Sequence, residues 1–330
     1  MRKFIALAIV LGLIVAGVIE WGLAAFEAPG PAAKHGSETV VLIKPGMHVR
    51  GIAQQLADTG VVSRPDVFAI AVRFKGKASE LKAGEYAIPS HASMHAIMDL
   101  LVEGKSIEHK LTVAEGLTSR MVFDLVRDDP ELTGEAGAVP PEGSLLPETY
   151  LFSRGQTREG LIAKMGKAQT ALVDKLWDER AANLPFKTKE EAIILASIVE
   201  KETAIAAERP HIAAVFINRL RIGMRLQSDP TIIYGITGGY PLGRRIRQSE
   251  IEAHTPYNTY VIAGLPAQPI CNPGKDSIAA VLNPADTRDL YFVADGTGGH
   301  VFTASAQEQA KNAAKWRKID NERNAPPRAH

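Results

Sequence analysis

The chain has 330 residues, of which 45% are hydrophobic and 23% charged, with 38 Lys and Arg against 37 Asp and Glu. That balance excludes a disordered chain, leaves room for two modest folded domains, and with a formal charge of +1 excludes a bulk basic field for nucleic acid. The single cysteine, Cys271, excludes an intramolecular disulfide, and without a local activating neighbour it reads as a small buried apolar residue.

After Met1-Arg2-Lys3 comes FIALAIVLGLIVAGVIEWGLAAF, Phe4 to Phe26, interrupted only by Glu20. Its length matches the roughly 20 residues that carry a helix across a bilayer. Arg2 and Lys3 precede it, so the positive-inside rule keeps residues 1–3 cytoplasmic and places everything after Phe26 outside the cytosol. A cleaved signal peptide, with Phe4 to Ile19 as its apolar region, is the competing reading; the length of the span favours an uncleaved anchor over residues 4–26.

EAPGPAAKHGSE, residues 27–38, has the composition of a short tether. A small α+β module is expected over residues 39–110. TVVLIKPG reads as a strand stopped at Pro45-Gly46, and Val49, Ile52, Ala53 and Leu56 have helical spacing. A second helix, the strand LKAGEYAIP, and a helix N-capped by Ser93 and stopped at Gly104 follow. Residues 111–330 read as a larger mixed α/β domain. It opens with a strand, a Gly turn and a helix, and passes through a Pro/Gly loop to Leu146–Phe152. Its long helical regions are predicted over 157–180 and from 188 to about 220, with Pro210 breaking the second. From Tyr257 onward it reads as extended and loop-rich, with a strand at DLYFVADG.

Within LASIVEKETAIAAERP, Leu195 to Pro210, two carboxylates stand two residues apart. At about 100° per residue, Glu202 falls among Ile194, Leu195, Ile198 and Ile205, whereas Glu200 falls opposite with Ile193, Ala196, Ser197 and Ala204. A carboxylate against isoleucines is costly to ionise and can hold a proton near neutral pH, as a general acid requires. The competing reading is a helix-end glutamate paired with Arg209 or Arg219, and spacing leaves both open. His211, His254 and His300 lack metal-ligand spacing and read as surface or hydrogen-bonding residues; Ser144 and Ser197 lack a nucleophile elbow. Asn218, Gln227, Asp229 and Tyr234, with Tyr257, Asn258 and Tyr260, would suit a groove for a polyhydroxylated substrate, or equally a satisfied turn at SDP.

The segments LLPETY, ASIVEKETA, VFINRLRIGMRLQSDPTIIYG, YNTYVIAGLP, NPG and YFVADGTGGHVF, in that order, resemble the YceG-like family of endolytic murein transglycosylases, membrane-anchored enzymes of the bacterial cell wall. The resemblance runs from the anchor to about Phe302, and residues 39–110 resemble that family's LysM-like subdomain. It implies cleavage within nascent peptidoglycan strands between N-acetylmuramic acid and N-acetylglucosamine, leaving 1,6-anhydromuramic ends and terminating strand elongation. It also implies an inner-membrane protein with a periplasmic body, cell-wall synthases as candidate partners, and neither cofactor nor metal. The family's catalytic glutamate maps onto Glu202, and Asn218, Gln227, Tyr234, Asn258 and Tyr260 are then expected to line the cleft that contains it. Glu148 and Asp229 are the candidates for any second catalytic carboxylate. The sequence departs from the family pattern at Cys271 and in GLPAQPI, where a second proline often follows the first. A glycan-binding scaffold without activity and a muramidase-type hydrolase remain as alternatives.

Overall fold

The computed structural model describes residues 2–323 and is mixed α+β; Met1 and residues 324–330, which fall in the expected stub and the expected second domain, lie outside the described residues. It opens with helix α1 (Arg2–Glu27), strand β1 (Glu38–Ile43), helices α2 (Val49–Asp58) and α3 (Pro65–Phe74), strand β2 (Gly84–Pro89) and helix α4 (Met94–Glu103). Strand β3 (Glu108–Thr112), α5 (Ser119–Asp128), β4 (Thr149–Ser153), α6 (Arg158–Asp178) and α7 (Lys189–Glu202) follow. Then come α8 (Arg209–Arg221), α9 (Asp229–Thr237), α10 (Gln248–Ile251), α11 (Lys275–Leu282), β5 (Tyr291–Ala294), β6 (His300–Thr303) and α12 (Ala306–Arg323). The strands form three two-stranded sheets, β1-β2, β3-β4 and β5-β6. Two compact units emerge: residues 1–110 with 130–133 and 151–157, and the remainder. The two short insertions come from stretches that the sequence reading assigns to the larger domain.

In the first unit β1 and β2 pair antiparallel from Glu38 opposite Pro89 to Ile43 opposite Gly84. The period of two turns Val41, Ile43, Tyr86 and Ile88 to one face, where they pack with Leu56, Phe68, Val72, Ile97 and Leu101 of α2, α3 and α4. Ser93 caps α4 by accepting the Ala96 N–H, and Gly104 ends it at φ 76°, a left-handed conformation that glycine adopts without Cβ strain. The apolar span Ile9–Glu27 of α1 is long and apolar enough to cross a membrane. Its last turn enters this core, with Phe26 fully buried and stacked 5.5 Å from the His95 ring. The segment expected to be a tether is pinned instead. Gly30 N–H donates to His91 O, His91 N–H to Pro31 O, and Ala33 N–H to Ser90 Oγ. At Gly30 any Cβ would meet Ala92 O at 2.3 Å, so only glycine permits the approach.

In the second unit α7 is the central helix. A Thr188–Glu191 capping box starts it, and Ala192, Ile193, Leu195, Ala196, Ser197, Ile198 and Val199 are all buried, so it has no solvated face over those turns. It packs on α8, α11 and α9. Burial of Leu195 and Ile198 stabilises the unit by roughly 1.5–3 kcal/mol each. The break expected at Pro210 comes earlier, so the region from 188 to about 220 is two helices that part at Thr203. The chain leaves helical geometry at Thr203 (φ −143°, ψ 136°), and Pro210 sits in the first turn of α8, where its missing N–H removes no helical bond. Helices α11 and α12 occupy sequence that reads as loop-rich, because α11 spans only 8 residues and α12 has a largely polar surface with little periodic signal. Cys271 is buried, as its sequence context suggests.

Candidate active site

The site lies wholly within the second unit, where α7 ends. Glu202 is the last residue of α7, and its Oε1 accepts a hydrogen bond from Ser228 Oγ at 2.5 Å. Burial is the largest influence on its carboxyl and pushes the pKa up to about 7; the nearby charge of Asp229 acts in the same direction, while the Ser228 bond, His300 and Arg219 oppose it. Its place at a helix C-terminus, the negative end of the macrodipole, also disfavours ionisation. A carboxyl poised near neutrality can give and retrieve a proton.

The surroundings are rigid. Ser228 is buried and its N–H donates to Thr259 Oγ1, while Thr231 Oγ1 donates to Ser228 O at 2.6 Å and lies 2.9 Å from Thr259 Oγ1. The hydroxyl aimed at Glu202 is therefore fixed by a hydrogen-bonded cluster rather than left to rotate with a loop. Gln227, just before it, adopts φ 52°, a left-handed conformation that costs a non-glycine residue of order 1–3 kcal/mol and recurs where geometry is functional. Arg219 is buried, and Nε donates to Leu290 O at 2.7 Å while Nη1 donates to Leu226 O. On the other side His300 Nδ1 lies 2.7 Å from Glu208 Oε2, and its N–H donates to Glu208 Oε1 at 2.9 Å.

Glu200 has a different environment. Its carboxylate side chain is 5% exposed, lies 3.4 Å from Arg209 Nη2 and accepts the Gly274 N–H at 2.9 Å. The arginine pairing that spacing allowed for Glu202 thus belongs to Glu200. Arg209 also reaches Glu115 at 3.1 Å and Asp276 at 3.5 Å, in a network buried at Arg209 and Glu200 and exposed at the other two carboxylates, which joins α7, α8 and α11.

The expected groove residues divide. Tyr260 stands by Glu202: its hydroxyl donates to Asp229 Oδ1 at 2.6 Å, and burial, its largest influence, followed by this bond and the charges of Asp229 and Glu202, pushes its pKa upward. Gln227 is exposed beside Ser228. Tyr234 lies further off, donating to Glu142 Oε2 and accepting from Gln268 Nε2, each at 3.1 Å, with its ring edge-on to Tyr257. Asn258 is buried, and its Nδ2 donates to the carbonyls of Glu250, Ile251 and Ala253. Asn218 Nδ2 donates to Thr287 O and Asp289 O. The amide donors of both asparagines are thus taken up by backbone, so these two brace loops instead of facing a groove. Of the two candidate second carboxylates, Asp229 is close enough to influence Glu202, whereas Glu148 is exposed and its backbone O receives the Val113 N–H.

Sequence reasoning does not point to Ser228 or Glu142. Ser228 was hidden in a turn-like SDP, and Glu142 in the Pro/Gly loop, yet burial raises the Glu142 pKa. Glu142 lies with Gln169, Lys189, Ile193 and Gln268 on a cavity of about 510 Å³. That cavity adjoins the N-terminal half of α7, about 13 Å along the axis from Glu202 at 1.5 Å per residue.

A buried, protonatable carboxyl on a rigid helix end, fixed by one hydroxyl and flanked by tyrosine, aspartate and histidine, defines a protein equipped for general acid–base chemistry. Residues 41–315 match the model of the YceG-like family, and the chain belongs to that family. It is 30% identical to the endolytic murein transglycosylase of Bacillus subtilis (strain 168), over 94% of this chain and 93% of that protein. It is also 30% identical to the protein of that name from Streptococcus pneumoniae serotype 2 (strain D39 / NCTC 7466), over 81% of this chain, but spans only 56% of that longer relative. The crystal structure of a YceG-like protein from Listeria monocytogenes matches 83% of this chain and 98% of that one, with a TM-score of 0.53 and 29% identity.

Proposed function

We propose that the protein is an endolytic murein lytic transglycosylase with Glu202 as its one catalytic acid–base. The observation that carries this reading is the Glu202 carboxyl at the end of α7, held near pKa 7 by burial and aligned by Ser228. The protonated carboxyl donates to the oxygen linking muramic C1 to the glucosamine, which leaves as an alcohol. The resulting carboxylate takes the proton from the muramic C6 hydroxyl as O6 bonds to C1, closing the 1,6-anhydro ring and restoring the acid. No water enters and no second carboxylate is needed, unlike glycosidases with two carboxyl groups. Gln227, Tyr260 and Tyr234 are assigned to the substrate groove, and Asn218 and Asn258 to its support. The names of the relatives and the family membership support murein as substrate.

In this reading α1 anchors the chain in the inner membrane with its body in the periplasm, residues 39–110 serve as a LysM-like glycan-binding module, and residues 111–330 form the catalytic domain. Cutting nascent strands there terminates their elongation, beside the synthases that make them. Asp229, near enough to Glu202 to perturb it, favours a muramidase-type hydrolase as the second reading. Mass spectrometry of products from purified murein decides between them. Anhydromuramic ends that vanish in a folded Glu202→Gln variant support the transglycosylase, reducing muramic ends indicate hydrolysis, and binding without cleavage by the wild type would leave only a scaffold.

A further inference from the structure

Where α1 leaves the membrane, the first unit carries an unpartnered amphipathic surface. On α3 the residues Phe68, Ala69 and Val72 face the core, while Ile70 and Phe74, four residues apart on one side of the helix, are 68% and 85% exposed. Cations surround them. The segment from Arg64 to Lys77 holds Arg64, Arg73, Lys75 and Lys77 against a single carboxylate, Asp66. Lys77 pairs with Glu80 at 2.8 Å, whereas two of the others reach back toward α1: the Arg64 guanidinium lies 4.7 Å from the Trp21 ring centroid, and Lys75 Nζ 5.5 Å from that of Phe26.

These contacts give α3 a depth. From Phe4 to Trp21, α1 rises about 26 Å at 1.5 Å per residue, close to the roughly 30 Å of bilayer hydrocarbon. Trp21 therefore sits at the interface, where tryptophan is enriched. From Trp21 to Phe26 the helix rises only about 7.5 Å more, comparable to the headgroup layer on one side of a bilayer. Both ends of α3 are tied to that short stretch, Arg64 at its N-cap and Lys75 at its C-cap.

We propose that the exposed face of α3, centred on Ile70 and Phe74 and rimmed by Arg64, Arg73 and Lys75, seats in the headgroup layer of the bilayer that α1 enters, against anionic phospholipid. This rests on the reading of α1 as a membrane span. Ile70 and Phe74 reach the acyl boundary, the cations meet phosphates, and the two anchor points hold the first unit at a fixed tilt, which one helix alone would not do.

The test uses the full chain in vesicles of phosphatidylethanolamine and phosphatidylglycerol, with an environment-sensitive dye on Phe74→Cys, Leu13→Cys or Val40→Cys. Val40 is exposed on β1, alternating with inward Val41 and so on the opposite sheet face from the helices, and serves as the aqueous control. Cys271 is buried with its thiol pushed well above its ordinary pKa, so the introduced thiol takes the label. Dye at position 74 should shift to the blue and be quenched by a lipid-borne spin label near the headgroups. Dye at 13 should be quenched by a spin label deep in the acyl chains, and dye at 40 by neither. Replacing phosphatidylglycerol with phosphatidylcholine should weaken quenching at 74 and leave 13 unchanged. Quenching at 13 with position 74 as wet as position 40 overturns the docking of α3 while sparing the anchor. No quenching at 13 overturns the anchor and this proposal with it, and indifference at 74 to lipid charge overturns the anionic assignment.

Discussion

Replacing Glu202 by Gln should cost the protein its activity and make it more stable, and the structure sets the size of both effects. The carboxyl titrates near 7 in the fold, against an ordinary value of 4.5 once burial is relieved on unfolding. Between those values the native state holds more protons than the unfolded chain, so this group makes stability fall as pH rises. The penalty is absent below about 4.5 and complete above about 7, and at roughly 1.4 kcal/mol per pH unit it amounts to about 3 kcal/mol. Glutamine fills the same space and its amide oxygen still accepts from Ser228, but it has no charge to desolvate. Denaturant unfolding of the detergent-solubilised full chain should therefore show wild type and Glu202→Gln of similar stability near pH 4.5. The variant should gain on wild type up to about pH 7 and stay about 3 kcal/mol ahead beyond it. Release of anhydromuramic products should meanwhile fall about 10²–10⁴-fold, the usual range for loss of a general acid. A variant whose stability tracks wild type across that interval, or falls below it at the alkaline end, would falsify the claim that Glu202 is held protonated by burial.

Four further outcomes follow from the same geometry. Ser228→Ala removes a bond that favours the carboxylate, so the alkaline limb of the activity profile, where Glu202 loses its proton, should move upward by about one to two pH units, the equivalent of a 1.5–3 kcal/mol charge-assisted bond; an unmoved limb counts against Ser228 as its partner. Arg209→Leu strands the buried Glu200 carboxylate and should lower unfolding free energy by roughly 3–5 kcal/mol, whereas Glu200→Gln should keep measurable murein cleavage; a dead but folded Glu200→Gln would shift the chemistry to that residue. Asn258→Ala deprives three carbonyls of their donor and should destabilise by about 1–3 kcal/mol, seen in thermal unfolding, where a purely substrate-binding residue would alter only turnover or KM.

Much of the fold was legible because its elements are short and strongly patterned. The β-branched run TVVLI, the helical spacing of Val49, Ile52, Ala53 and Leu56, and the Ser93 and Gly104 caps each act locally, and the structure places an element at each. The tether was misread for a tertiary reason. EAPGPAAKHGSE has the composition of a free segment, but its backbone groups pair with Ser90 and His91, and no local pattern announces partners some 60 residues away. The break at Thr203 was missed for a related one. Nothing in VEKETAIA forbids helix, yet continuing it would give up the Thr203 Oγ1 bonds to Ile205 N–H and to Glu208, the carboxylate that holds His300.

At the site, periodicity distinguished the two glutamates but not by the mechanism it implied. A helical wheel assumes that one face is wet; α7 has none over its central turns, and Ile205 lies beyond its end. What separates Glu202 from Glu200 is the partner each burial provides. Glu200 meets a cation and a backbone N–H, which compensate its charge, while Glu202 meets a hydroxyl, with Asp229 nearby and Arg219 drawn off toward the Leu226 and Leu290 carbonyls. Two equally hidden carboxyls can therefore differ in chemistry because one is neutralised and the other is only aligned. Those partners come from α8, the start of α9 and the turn before α11, brought together by packing on α7. A single chain read along its length can thus mark a carboxyl as costly, but the fold decides whether that cost is relieved by a partner or kept for proton transfer.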